Sequence, residues 1–286
     1  MKKLLFQFDT DAMPSVFDTV VGYDGGADAI TGYGNVTPDT VGALVDGTIY
    51  TRGGSEKKST AIFVGGGNMA AGEAVFEAVK KRFFGPFRVS AMLDSNGSNT
   101  TAAAGVALVA KAAGSLKGSR AVVLAGTGPV GMRSAALLAR EGAEVVLTGR
   151  SKAKAEESAR AIETRFGVAV QALETADAGA RAAAVKGAHV VFSAGAIGLE
   201  LLPEEAWRNE ASIQFLADYN AQPPLGFGGI EAMDKGKDRH GKKAFGALGI
   251  GGLKLKLHRA CVAKLFESTE SLLDAEEIYA LAKEMA

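Results

Sequence analysis

The chain has 286 residues, enough for about two domains, and its 47% apolar fraction supports a buried core rather than disorder. Its 32 basic and 32 acidic residues cancel, so no global field draws it to nucleic acid or to an anionic membrane. Glycine is in excess, at 37 residues or about 13% against a usual ~7%, with only 7 prolines beside it, which implies tight turns inside folded structure.

Apolar runs of strand length alternate with amphipathic helical stretches, a pattern that predicts α/β units around largely parallel sheets. Residues 3–8, 60–64 and 88–93 are predicted strands, and 38–45 and 69–83 predicted helices. Thr37 is expected to cap the first of these helices, with Pro38 in its first turn. An alanine-rich helix over 99–113 closes a first domain, 1–113. From 121 the alternation becomes regular. Strands 121–125, 144–148, 168–172 and 189–193 alternate with helices 132–140, 152–166 and one ending at 185, and 213–217 and 244–248 complete the sheet. This predicts a Rossmann-type, doubly wound domain over 114–250. Leu253, Leu257, Ala260 and Cys261 then form one apolar helical stripe, and Asp274 with Glu277 resembles the capping box of a last helix. These closing helices, 251–286, are expected to pack back on the first domain.

Cys261 is the single cysteine, so no internal disulfide forms and a reducing compartment is expected. The apolar run Leu4-Leu5-Phe6 is too short for a secretion signal, and the stretch 102–110 is too short to cross a bilayer. A soluble cytoplasmic protein is the expectation. Three histidines and one cysteine make no metal-binding pattern, and no metal is expected.

Gly126-Thr127-Gly128-Pro129-Val130-Gly131 matches the dinucleotide fingerprint G-x-G-x-x-G between a predicted strand and helix. Gly126 suits the tight turn, Gly128 lets backbone approach a pyrophosphate, and Gly131 permits close helix–strand packing. Where an NAD site would place an acid, this chain has Gly149-Arg150-Ser151-Lys152 and no acid until Glu156. Arg150 and Ser151, with Lys154 as an added charge, suit a 2′-phosphate, so NADP is the predicted cofactor. Ala194 and Gly195 end a further strand at the edge that faces a cofactor in doubly wound folds. The cluster Gly65-Gly66-Gly67 lacks the continuation of a nucleotide motif and is expected to form a tight turn.

The first domain gathers polar residues at predicted strand ends and loops: Asp9, Asp11, Tyr23, Asn35, Asp94, Asn96, Ser98, Asn99 and Thr100. They suit a ligand wall, and equally the satisfaction of their own backbone. Lys256, one helical turn from Leu253 and Ala260, is the candidate active-site cation, with a snorkelling lysine as the alternative.

These residues carry a resemblance. Phe6-Gln7-Phe8-Asp9-Thr10-Asp11, Gly32-Tyr33-Gly34-Asn35-Val36-Thr37-Pro38, Leu93-Asp94-Ser95-Asn96-Gly97-Ser98-Asn99-Thr100, Asp218-Tyr219-Asn220-Ala221-Gln222-Pro223-Pro224 and Gly249-Ile250-Gly251-Gly252-Leu253-Lys254-Leu255-Lys256 make the chain similar, from end to end, to the NADP-dependent methylenetetrahydromethanopterin dehydrogenases of methylotrophic bacteria, which also accept methylenetetrahydrofolate. The resemblance implies a pterin-binding domain, an NADP domain with Asp218 in its cofactor loop, a cleft that closes on both substrates, a homo-oligomer, and a place in one-carbon metabolism. It also explains why no acid–base dyad is evident. The two nitrogens flanking the one-carbon bridge stabilise the methenyl cation as hydride leaves, and no proton need be removed. A shikimate- or quinate-type NADP dehydrogenase shares the domain order but wants a Lys–Asp pair, which Lys57, Lys58, Lys80, Lys81 and Lys111 do not obviously provide. A non-catalytic NADP-sensing protein is the third reading.

Overall fold

Two sheets form, each in its own unit. The computed structural model describes residues 1–286; one unit comprises 1–100 with 255–281, the other 101–254 with 282–286. In chain order the first elements are β1 (Leu4–Asp9), α1 (Val16–Asp24), β2 (Ala29–Tyr33), α2 (Val41–Ile49), β3 (Thr60–Gly65), α3 (Met69–Arg82) and β4 (Ser90–Leu93). Then come α4 (Ser98–Ala113), β5 (Arg120–Leu124), α5 (Pro129–Arg140), β6 (Glu144–Gly149), α6 (Lys152–Phe166), β7 (Gln171–Glu174) and α7 (Ala178–Ala184). The remainder is β8 (Val190–Ser193), α8 (Glu204–Trp207), β9 (Phe215–Asp218), β10 (Lys235–Arg239), β11 (Lys242–Phe245), α9 (Ala247–Leu265), β12 (Leu272–Leu273) and α10 (Ala275–Met285).

The first sheet is wholly parallel, in the order β12-β4-β3-β1-β2. Its central strand β3 is buried at all its residues, as a parallel strand covered on both faces should be. Phe8, Ile62, Val64, Val75, Phe76 and Leu93 fill the core between sheet and helices. Because every strand runs the same way, the segments following β1, β2, β3 and β4 all emerge at one edge, the carboxyl edge.

Three strands escape the sequence pattern. β2 has an exposed, glycine-containing half; β12 is two residues long; β10 is a charged edge strand antiparallel to β11. The first α2 turn also begins later than expected. The regular helix starts at Val41, and Thr37 caps the turn ahead of it: Thr37 Oγ1 accepts from Thr40 N–H at 3.3 Å and Thr37 O from Val41 N–H at 3.0 Å, with Pro38 in that turn.

The second sheet has the order β10-β11-β9-β8-β5-β6-β7, parallel except for β10. Chain direction reverses its progress at β5, which lies between β6 and β8, and this switch point opens a crevice at the carboxyl edge. Trp207, Val122, Val191, Leu216 and Phe227 are packed in its core, with Trp207 Nε1 donating to Gly228 O at 3.0 Å.

The unit boundaries fall within α4 and α9: the first at 100/101 rather than 113/114, the second at 254/255, four residues beyond the expected 250/251. Gly105 shows why α4 joins the second unit: a Cβ there would lie 2.5 Å from Tyr219 Oη, so the helix is seated directly on the segment after β9. The second half of α9, β12 and most of α10 belong to the first unit. No helix is long and apolar enough to cross a membrane.

Candidate active site

At the switch point the chain turns sharply out of β5. Ala125 takes a left-handed φ of 50°, its N–H donates to Thr148 Oγ1 at 3.1 Å, and Gly126 N–H donates to Thr148 O at 2.8 Å. A Cβ at Gly131 would lie 2.6 Å from Gly126 Cα, and one at Gly126 would lie 2.7 Å from Leu147 Cδ1. Those two glycines are therefore required by the protein's own packing. Gly128 is different. It precedes the first residue of α5, with Pro129 at the helix start, and a Cβ on it would meet no protein atom within 4 Å. Val130 follows in the first turn, where its carbonyl accepts from Ser134 Oγ at 2.8 Å. The loop leads into the N-terminus of α5, the end of a helix that suits an anion.

Beside it lies a pocket of about 260 Å³, lined by Thr127, Gly149, Arg150, Thr175, Arg181, Ala194, Gly195 and two leucines among others. Arg150 is exposed and has no carboxylate partner. Ser151 caps α6, accepting from Lys154 N–H at 3.4 Å, so its hydroxyl is partly committed to the helix. The Lys154 ammonium pairs with Glu157 at 3.0 Å and is a weaker candidate for a phosphate than Arg150. Thr175 and Arg181 had no sequence signal, because only the fold brings the ends of β7 and α7 to this pocket.

Asp218 is placed differently from the expectation that it contacts cofactor. Its side chain is enclosed, and its oxygens accept from the N–H groups of Asn220 at 3.0 Å, Gly226 at 2.7 Å and Phe227 at 3.3 Å. Burial raises its carboxyl above the usual carboxylate range, against the lowering effect of those bonds. Asp218 thus shapes the loop that follows β9, which also contains the cis Pro223-Pro224 bond. The next residue, Tyr219, shares a 2.8 Å hydrogen bond with Ser134 Oγ and ties this loop to α5.

In the first unit the carboxyl-edge loops interlock. Gly66 has a φ of 111° and leaves no room for a side chain beside Thr10, while Gly67 N–H donates to Asp11 Oδ2 at 2.8 Å. Asn35 and Asn96 are exposed and left-handed, at φ 54° and 56°; their N–H groups donate to Asp11 O and Gly66 O, both at 2.7 Å. Their amide side chains and the second oxygen of Asp11 remain available to a ligand.

The other expected substrate residues are used by the chain itself. Asp9 accepts from Asp11 N–H at 2.9 Å and Ser15 N–H at 3.1 Å. Asp94 binds Thr100, Ser98 Oγ donates to Ser95 O at 2.7 Å, and Asn99 Nδ2 donates to Leu93 O at 2.7 Å. All of these are buried. Tyr23 is exposed on the last turn of α1, which leads into the start of β2, so it lies at the opposite edge of the sheet from Asp11.

Lys256 lies on the exposed side of α9, not at the margin of its apolar stripe. The buried face carries Leu253, Lys254, Leu257, His258 and Cys261, and position 256 lies about 130° from its centre. His258 stacks on Phe63 at 5.5 Å, with Nδ1 3.8 Å from Asp94 Oδ2.

A glycine loop between a buried strand and a helix, on a doubly wound sheet and beside a second parallel-sheet unit in the chain, defines a nucleotide-binding α/β protein. The chain belongs to the methylenetetrahydromethanopterin dehydrogenase family. Residues 16–96 match the family model for the N-terminal part of methylene-tetrahydromethanopterin dehydrogenase. Over 286 residues the chain is 80% identical to the bifunctional protein MdtA of Methylorubrum extorquens, covering 100% of this chain and 99% of that protein. A further protein of that organism, an NAD(P)-dependent methylenetetrahydromethanopterin dehydrogenase, is 33% identical over 281 residues, with 95% of each covered.

Among solved structures, 5-ketofructose reductase of a Gluconobacter strain aligns with a TM-score of 0.52 at 15% identity, covering 100% of this chain and 99% of that one. Shikimate 5-dehydrogenase from Listeria monocytogenes, in complex with shikimate and NAD, gives 0.51 at 14% identity, covering 98% and 96%. At such identities the likeness shows the fold alone.

Proposed function

We propose that the protein is an NADP-dependent methylenetetrahydromethanopterin dehydrogenase that also accepts methylenetetrahydrofolate. Membership of the family along the whole chain supports the substrate class. The observation that carries the cofactor assignment is the unpaired Arg150 on a pocket without a lining carboxylate, adjoining the Gly128 loop. The open space at Gly128 fits a pyrophosphate on the N-terminus of α5, and Arg150 with the Ser151 hydroxyl fits a 2′-phosphate. When bound, NADP supplies the hydride acceptor.

The remaining work is positioning. Asp11, Asn35 and Asn96 offer one carboxylate and two amides at a single sheet edge, a set that complements the amino and amide edge of a pterin. The bridge nitrogens of that substrate carry the positive charge that develops as hydride departs. The protein therefore needs no general base, only aligned rings and excluded water. A homo-oligomer fits the apolar face that α1 turns to solvent, where Val16, Phe17 and Val20 are exposed.

A shikimate-type reaction finds less support. Lys57 Nζ donates to Pro86 O at 2.7 Å, Lys80 pairs with Glu77, and neither lies at the carboxyl edge of the first sheet. The test is NADPH formation with methylenetetrahydromethanopterin, methylenetetrahydrofolate and shikimate as separate donors. Turnover with the two pterins alone is expected; turnover with shikimate alone would overturn the proposal.

A further inference from the structure

We infer that Arg181 forms the fixed wall of an adenine site, laying its guanidinium plane on the purine and so contributing equally to NADP and NAD binding. The inference rests on the nucleotide reading above and concerns a residue outside the fingerprint. The pocket that holds Arg150 and Arg181 has no aromatic side chain in its lining, which otherwise consists of alanine, glycine, threonine and leucine. A purine needs a flat, polarisable surface, and the only planar side chains on offer are the two guanidinium groups.

The two arginines are held differently. Arg150 is exposed at the end of β6, next to the turn where a ribose 2′-substituent sits in this fold, and nothing fixes its head. Arg181 is half-buried on α7, and its Nε donates to Leu201 O at 2.6 Å, which sets the orientation of the plane. No carboxylate neutralises it: Asp177, on the preceding turn, is committed to the N–H of Ala180 at 2.8 Å. Leu199, 47% exposed, and Leu201 supply apolar surface around the same space. An oriented cation with a free face beside apolar walls suits a ring, whereas a mobile, solvent-facing cation suits a phosphate. Arg150 thus discriminates between the cofactors, and Arg181 serves both.

The experiment measures dissociation constants of wild type, Arg181→Met and Arg181→Lys for NADP, NAD and nicotinamide mononucleotide, with melting temperatures alongside. Arg181→Met should weaken NADP and NAD by the same factor, about tenfold, and leave the mononucleotide unaffected. Arg181→Lys, which keeps the charge but loses the plane, should behave like the methionine variant. A loss confined to NADP would overturn the proposal by assigning Arg181 to the 2′-phosphate. Unchanged affinities with a lowered melting temperature would reduce it to a strut for the Leu201 loop. Failure of wild type to bind either dinucleotide would instead refute the nucleotide reading itself.

Discussion

Asp94 accepts both the backbone N–H and the hydroxyl of Thr100, at 3.0 and 2.6 Å, with its carboxylate wholly enclosed. The pair closes the turn from β4 into α4 and leaves no oxygen facing solvent. Asp94→Ala should therefore destabilise the protein by about 2–4 kcal/mol, because two bonds to a charged acceptor are lost and Thr100 is left buried without its partner. Denaturant unfolding measures this. Unaltered stability with a raised KM for the pterin would show Asp94 to be a substrate ligand.

The glycines of the nucleotide loop separate by their surroundings. Gly131→Ala forces a Cβ to within 2.6 Å of Gly126 Cα and should cost about 1–3 kcal/mol of stability. Gly128→Ala meets no protein atom and should change stability by less than about 0.5 kcal/mol. Its effect should be seen in NADP titration, as an affinity lowered about tenfold or more where the methyl group meets the phosphate. Thermal melts and cofactor titrations on both variants check the contrast.

Arg150→Asp reverses the charge where the 2′-phosphate is assigned. The KM for NADP should rise by about a hundredfold, in line with losing a charge-assisted pair and gaining a repulsion, while that for NAD changes little. Equal changes for both cofactors would remove Arg150 from the phosphate site.

How much of this was legible in the sequence depended on what kind of signal each residue gives. The fingerprint loop announces itself because Gly126 and Gly131 are required by backbone packing that only glycine permits. Asp94, Asn99 and Asp218 mislead for a physical reason: capping a turn and binding a ligand both call for short polar side chains at strand ends. Lys256 is one turn from the buried Leu253, but Ala260 on its other side is only half-buried and the packed face extends the other way, through Lys254 and His258. Arg181 and Thr175 were invisible, since their nearness to Arg150 arises from the strand order β8-β5-β6-β7 and not from spacing along the chain. The two-residue β12 and the charged edge strand β10 are paired by their neighbours, with no apolar alternation of their own.

Tyr219 gives a pH-dependent readout of the loop after β9. Burial raises its hydroxyl above the ordinary phenol range, opposed by the bond to Ser134. The folded state thus keeps the proton longer than the unfolded chain. Its contribution to stability is full below the unfolded value of about 10 and is lost as pH rises toward the folded one. Tyr219 should resist ionisation in an alkaline absorbance titration until the protein unfolds. Tyr219→Phe should lower the late phase by one tyrosine and cost about 1 kcal/mol at neutral pH.

Direct hydride transfer from the one-carbon bridge of the pterin to NADP, without a protein base, is open to an isotope test. Methylenetetrahydromethanopterin deuterated at that bridge, incubated with the enzyme and NADP in ordinary water, tests it by mass spectrometry of the reduced cofactor. One deuterium is expected in each NADPH formed. Unlabelled NADPH, with the deuterium released to solvent, would contradict it.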